Sequence, residues 1–247
     1  MINTAIILTA GRGRRLKPLT NRTPKALLSL KGDFNVLDFI FHSLNEVGIK
    51  NITMVVGYRY TSIVKYVSSR YYLPKFSICY FFNKQFRDTN TAYSLWLSCS
   101  ILQRGGLIIN GDTLASSSSL KEVFDFEGTC IGVSRTNVDE EAVKVLVDHN
   151  KRVVAIGKNV NGIAEYVGIA KIEPEFASLM CKRLNHFHQI DQNLLNSLYY
   201  DDVINDLLKD HPVYAVDLTD ETIIDVDTIE DLKRARQILS DHSGVFR

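Results

Sequence analysis

The segment Leu8-Thr9-Ala10-Gly11-Arg12-Gly13-Arg14-Arg15-Leu16-Lys17-Pro18-Leu19-Thr20, continued by Pro24-Lys25-Ala26-Leu27, grows out of an apolar run, Ala5-Ile6-Ile7-Leu8, that reads as a buried strand. A glycine-rich loop leaving a strand lets backbone N–H groups come close to phosphate oxygens. Arg15 adds a planar fork that can grip two oxygens at once, and Lys25 adds a movable point charge. Gly11 and Gly13 alone would equally make an ordinary turn with solvated arginines around it. A dinucleotide fingerprint needs a third glycine where Leu16 stands, and no G-x-x-x-x-G-K-S/T occurs, so neither of those phosphate loops fits.

Outward from this loop, β-type runs alternate with helical patterns. Val36, Leu37, Ile40, Phe41, Leu44 and Val47 recur at helical spacing, with Gly48 placed to end the helix. Ile52–Val56, Phe76–Phe82 and Leu107–Ile109 read as strands, with helices around Ile63 and Val67 and over Thr91–Leu102. This order predicts a mainly parallel sheet with helices on both faces. Cys130–Val133, Val143–Val147, Val153–Ile156 and Tyr166–Ile172 look like antiparallel additions. Helices around Glu175–Leu184 and Gln192–Leu208, strands at Val213–Val216 and Ile223–Val226, and a closing helix capped by Thr228 complete the pattern. Ser116–Ser119 reads as a loop capping the next helix. No linker or repeat divides the chain, so residues 1–247 are expected to form one α/β domain.

The string from Leu8 to Leu27 closely resembles the signature L-x-A-G-x-G-x-R-L-x-P-L-T-x-x-x-P-K-x-L of the sugar-phosphate and choline-phosphate nucleotidyltransferases. The resemblance runs along nearly the whole chain and is nearest to the phosphocholine cytidylyltransferase-like branch. It implies a Rossmann-like three-layer α/β/α fold with a mixed, mainly parallel sheet and an acceptor-binding part at roughly 128–210. It further implies transfer of a nucleoside monophosphate from a triphosphate to a phosphorylated acceptor, with release of pyrophosphate. Arg15 and Lys25 would be the catalytic cations, and Leu8, Ala10, Gly11 and Gly13 would lie against the nucleotide.

Asn110-Gly111-Asp112 stands at the end of a strand, where open α/β sheets bind ligands, and a carboxylate there can hold Mg²⁺. In Ile224-Asp225-Val226-Asp227-Thr228, strand alternation puts Asp225 and Asp227 on one face. The resemblance assigns the metal to Asp112 and Asp227, with Asp225 as a neighbouring candidate. Asp88–Trp96 begins a helix whose amides and hydroxyls can face a ligand. It resembles a segment near the nucleotide base in the cytidylyltransferase branch, which makes Asn90 and Ser94 candidates. Tyr93 and Trp96 read as core.

The acceptor candidates come from Glu140-Glu141-Ala142-Val143-Lys144, Gly157-Lys158, Ala164-Glu165 and Tyr199-Tyr200-Asp201-Asp202. Lys144 and Lys158 on adjacent strands can hold a phosphate, and Glu165 can accept from an amine or hydroxyl. Tyr200 and Asp201 can bind a cationic head group. The phosphocholine branch carries a tryptophan where this sequence has Ala142, which favours a smaller amine or a neutral polyol.

Lys+Arg total 29 and Asp+Glu total 28, leaving no basic footprint for nucleic acid and no polybasic membrane address. Cys79, Cys99, Cys130 and Cys181 form no C-x-x-C pair, which points to reduced thiols. The run Ile2–Ala10 is followed, not preceded, by arginines, which is unlike a signal peptide, and no stretch is long enough to span a bilayer. The expectation is a cytoplasmic Mg²⁺-dependent cytidylyltransferase that takes CTP and a phosphocholine, aminoalkylphosphonate or polyol phosphate type of acceptor. A sugar-1-phosphate enzyme using UTP or dTTP, and an inactive ligand-sensing or scaffold subunit, stay open, as does a homodimer.

Overall fold

A computed structural model describes residues 2–71, 75–136, 138 and 141–241. The chain begins with β1 (Thr4–Thr9), three short 3-10 turns, a hairpin of β2 (Ser29–Lys31) and β3 (Phe34–Asn35), and α1 (Val36–Glu46). Then come β4 (Asn51–Val56), α2 (Tyr60–Arg70), β5 (Ser77–Phe82), α3 (Thr91–Leu97) and α4 (Cys99–Leu102). The middle contains β6 (Gly106–Asn110), β7 (Thr113–Ala115), α5 (Ser117–Asp125), β8 (Cys130–Ser134), β9 (Lys144–Val147), β10 (Val153–Gly157) and β11 (Ala164–Ile172). It ends with α6 (Pro174–Ile190), α7 (Gln192–Ser197), α8 (Tyr200–Leu207), β12 (Tyr214–Asp217), β13 (Ile223–Asp225) and α9 (Ile229–Asp241).

The main sheet runs β10-β9-β11-β6-β1-β4-β5, with β8 branching from β11 and β12 beside β8. β1 lies parallel to β4 and β6, and β4 parallel to β5; β11 joins antiparallel to β6. This is the expected mixed, mainly parallel sheet. Alternation along β1 builds both layers: Ala5 and Ile7 pack with α1, α2, α5 and α9, while Ile6 and Leu8 pack with α3, α6 and α8. No described helix is long and apolar enough to cross a membrane.

Local signals explain the ends of several elements. Gly48 follows α1 with φ 85°, and the Ile49 N–H donates to the Leu44 carbonyl at 3.0 Å, closing the helix as its position predicts. Thr228 caps α9 by accepting from the Asp231 N–H at 3.2 Å. Ser116 caps α5, but the following serines belong to the helix itself and not to a loop.

Two predicted helices are each divided. Thr91–Leu102 breaks at Ser98, whose hydroxyl donates to the Leu95 carbonyl at 2.8 Å. Gln192–Leu208 breaks at Leu198 and Tyr199, which are extended. There the Leu198 carbonyl accepts from Ala92 across the structure, a tertiary bond that outcompetes helix continuation. The β2–β3 hairpin and β7 carry no apolar pattern long enough to be read from sequence, whereas β13, the partner of β7, falls on the expected strand Ile223–Val226.

One glycine position is enforced by the site. Gly168 has φ +72°, and a Cβ there would stand 2.6 Å from Thr113 Oγ1 and 2.7 Å from Asn110 Nδ2. The register of β11 on β8 shifts between Tyr166 and Ala170, around this residue. Gly168→Ala should therefore cost about 2–4 kcal/mol through backbone strain and overpacking. That corresponds to a melting temperature lower by roughly 4–16 °C in a domain of this size. Thermal unfolding checks it, and a change under about 1 °C would contradict the packing described.

Candidate active site

The C-terminal ends of β1 and β6 open into a cleft of about 1030 Å³, at the edge where parallel sheets place ligands. Leu8, Ala10, Gly11, Gly13, Arg15, Lys25, Asn90, Ser94, Asp112, Lys158, Glu165, Tyr200, Asp201, Asp225 and Asp227 all line it. Lys144 does not. It sits on β9 in register with Glu165, while the turn after Gly157 carries Lys158 into the cleft. The expected pair of lysines is thus a single one. Glu140 lies outside the described residues.

At the centre, the Lys25 ammonium bridges Asp112 and Asp227, the latter at 2.5 Å. Only 11% of the Lys25 side chain is exposed, although the loop before it is solvent-exposed at Gly11, Arg14, Arg15 and Lys17, as its charges suggest. Burial alone would lower the lysine pKa, but the two carboxylates outweigh it and hold the ammonium charged. Burial would likewise raise Asp227, yet Lys25 and Arg15 keep its carboxyl below the usual range. Arg15 donates to Asp227 at 2.6 Å and to Glu141 at 3.0 Å. The Arg15–Glu141 pair is more than half exposed on both sides, so it exchanges easily for another anion.

Asp225 and Asp227 do not act as a pair on one strand face. β13 ends at Asp225, and the Asp227 N–H turns back onto the Asp225 carbonyl at 3.0 Å, which cancels the alternation. Asp225 instead accepts from the Thr113 hydroxyl. Burial, with Asp112 adding to it, pushes its carboxyl well above the ordinary range.

The donor set suits a hard divalent cation. Asp112 and Asp227 already converge on one cationic atom, the Lys25 Nζ, from two elements distant in sequence. Among the described residues no three His, Cys, Asp or Glu side chains enclose a metal by themselves. Two carboxylates beside an open cleft match Mg²⁺, which keeps waters and takes phosphate oxygens as its remaining ligands.

At one end of the cleft the start of α3 differs from expectation. Two of its N–H groups are taken by protein carbonyls: Asn90 N–H donates to the Asn196 carbonyl at 2.8 Å, and Ala92 N–H to the Leu198 carbonyl at 3.2 Å. The Asn90 side-chain amide donates to the Ser197 carbonyl at 2.7 Å. Ser94 accepts from Asn83, which also donates to Thr89. Asn83 was not among the sequence candidates, although its position just past β5 at the same sheet edge would have marked it. Tyr93 is buried as core, while Trp96 is half-buried and donates to Asn185.

At the other end, Tyr200 is 1% exposed and its hydroxyl is engaged by Tyr166 and Asn110, so it offers no open aromatic face. The open ring belongs to Tyr199, with the Lys158 ammonium 5.2 Å from its centroid. The first residue of α8 points into the core and the residue before it points out, which reverses the sequence assignment of the two tyrosines. Burial, with Asp202 adding to it, pushes Asp201 up to about 7. Ala142 is a buried wall residue.

The chain is 26% identical over 244 residues to the choline-phosphate cytidylyltransferase of Streptococcus pneumoniae, covering 97% of this chain and 99% of the relative. It is 25% identical over 234 residues to the 2-aminoethylphosphonate cytidylyltransferase of Lancefieldella rimae, covering 92% and 89%. Its fold is similar to that of the inositol-1-phosphate CTP transferase from T. maritima, with a TM-score of 0.80 at 22% identity over 97% of this chain and 95% of that one. The nucleotidyl transferase family model matches residues 4–129, the half that carries the glycine loop, Lys25 and Asp112. With that match, the chain belongs to the nucleotidyl transferase family and is a nucleotidyltransferase.

Proposed function

We propose that this protein is an Mg²⁺-dependent cytidylyltransferase that transfers CMP from CTP to a compact phosphorylated or phosphonate acceptor and releases pyrophosphate. The observation that carries the reading is the Lys25 ammonium held between Asp112 and Asp227 beside the glycine loop. An acceptor phosphate or phosphonate oxygen attacks the α-phosphorus of CTP, forming the new P–O bond. The bond from the α-phosphorus to the α,β-bridging oxygen breaks, and its electron pair leaves with pyrophosphate. The attacking oxygen is already anionic, so no protein nucleophile is required. Mg²⁺ held by Asp112 and Asp227 would neutralise charge on the phosphate oxygens. Arg15 and Lys25 hold the triphosphate and the entering anion together, so catalysis rests on positioning and charge complementarity.

Lys158 and Glu165 supply one cation and one anion to the acceptor end. Relatives named for phosphocholine and 2-aminoethylphosphonate cytidylyl transfer, and a fold neighbour named for inositol-1-phosphate, support a small acceptor. The free thiols suit a reducing compartment, and we place the reaction in the cytoplasm.

The test is pyrophosphate release over a matrix of CTP, UTP, dTTP and ATP against phosphocholine, 2-aminoethylphosphonate, inositol-1-phosphate and glucose-1-phosphate. CTP with one of the first three acceptors should give the highest kcat/KM. With that acceptor, Glu165→Gln should raise the acceptor KM by roughly tenfold, the loss of one charged hydrogen bond, and leave the CTP KM nearly unchanged. Best turnover of glucose-1-phosphate with UTP or dTTP would replace this reading by the sugar-phosphate one, and no turnover of any pair would favour a ligand-sensing subunit.

A further inference from the structure

A connector, residues 196–200, runs from the end of α7 through Leu198 and Tyr199 into the start of α8 at the cleft. Its carbonyls at Asn196, Ser197 and Leu198 accept from the Asn90 N–H, the Asn90 side-chain amide and the Ala92 N–H, at 2.8, 2.7 and 3.2 Å. In the opposite direction the Tyr200 N–H donates to Thr91 Oγ1 at 3.1 Å. The start of α3 and the start of α8 are therefore one hydrogen-bonded unit. The Tyr200 side chain then crosses the core. Its hydroxyl lies 2.5 Å from the Tyr166 hydroxyl and donates to Asn110 Oδ1 at 3.2 Å. Asn110 ends β6, directly before Gly111 and Asp112.

Residues of both halves of this unit line the cleft: Asn90 and Ser94, the nucleotide-side candidates, from α3, and Tyr199 and Asp201, the acceptor-side candidates, from the start of α8. We propose that the connector, with Tyr200 as its positioning residue, couples the two half-sites, so that an anionic acceptor at one end tightens the binding of the nucleoside triphosphate at the other. This rests on the two-substrate reaction proposed above. The Tyr200–Tyr166 contact is buried and the bonds of Tyr200 to Asn110 and Thr91 are partly buried, so this part of the network has few alternative arrangements: breaking one bond leaves groups unsatisfied in a low-dielectric interior. A ligand that fixes Tyr199 and Asp201 therefore also fixes the α3 start and the Asn110-Gly111-Asp112 strand end. Thermodynamic linkage makes the effect reciprocal, with the triphosphate tightening the acceptor by the same factor. Tyr200 acts here through Asn110 and Thr91, and not as an aromatic wall.

The experiment is calorimetric binding of α,β-methylene-CTP with Mg²⁺, alone and with a saturating acceptor that the wild-type protein turns over. Tyr200→Phe keeps the ring and its edge-to-face packing on Tyr166, and Asn90→Ala changes a half-buried side chain, so it decides the matter if the first variant does not fold. Wild-type affinity for the analogue should rise about tenfold in the presence of acceptor, within the usual range of coupling between sites. In both variants that factor should fall to within about twofold of one. A wild-type factor of one, or an unchanged factor in both variants, overturns the coupling while leaving the reaction intact. Absence of turnover with every acceptor removes the reaction itself and the coupling with it.

Discussion

Lys25→Ala should lower kcat/KM for pyrophosphate release by a hundredfold or more, on the order of the loss of one preorganised charge donor in a water-poor site. The reason is positional. The ammonium is held between Asp112 and Asp227 with little of its side chain exposed, so no solvent cation occupies the same point with the same charge. The substitution also leaves those two carboxylates facing each other beside Asp225, an arrangement that like-charge repulsion disfavours. The variant should therefore melt below the wild type without metal, and Mg²⁺ should raise its melting temperature by more than it raises that of the wild type. Lys25→Arg keeps the charge but replaces a compact ammonium by a planar fork, and it should recover stability better than turnover. Near-normal kcat/KM in Lys25→Ala would remove Lys25 from the catalytic machinery.

Asp112→Asn and Asp227→Asn should each abolish Mg²⁺-dependent turnover, by at least about a hundredfold, because each removes one of the charged oxygens on which the cation site depends. Asp227→Asn should carry a second signature. Lys25 and Arg15 hold the Asp227 carboxyl below its ordinary range. Its contribution to stability is complete above the unfolded value of about 4 and is lost as pH falls through the depressed folded value. The Asn variant should lack that acid-side loss, which thermal melts across pH 2–5 would reveal. Asp225→Asn should be milder. Burial already favours the neutral form of that carboxyl, and the amide oxygen can keep the hydrogen bond from Thr113. Equal losses at positions 225 and 227 would move the metal site onto Asp225, and full activity in EDTA would end the metal mechanism.

The sequence by itself determined the sheet class, the glycine loop after β1 and a set of candidate residues that meet at the cleft. The strands β1, β4 and β6 each carry an apolar run and are buried along almost their whole length, as in a sheet covered on both faces. Arg15, Lys25, Asp112 and Asp227 were legible because the chemistry is bound to short segments at strand ends, where chain direction fixes which way a ligand lies. Tertiary structure decided what those segments do to one another. The salt bridge from Lys25 to Asp227 closes over 202 residues of sequence, and nothing local predicts it. The choice between Tyr199 and Tyr200 depends on which residue starts α8, and that start is set by bonds to α3 about a hundred residues away. The amides of α3 looked available because helix N-termini leave N–H groups unpaired, and the fold supplied carbonyls from the 196–198 connector to take them. Lys144 and Lys158 look alike in sequence, yet only the one carried by a turn reaches the cleft. Propensity and motif act over a few residues, whereas side-chain direction at these points is set by contacts that exist only once the sheet has closed.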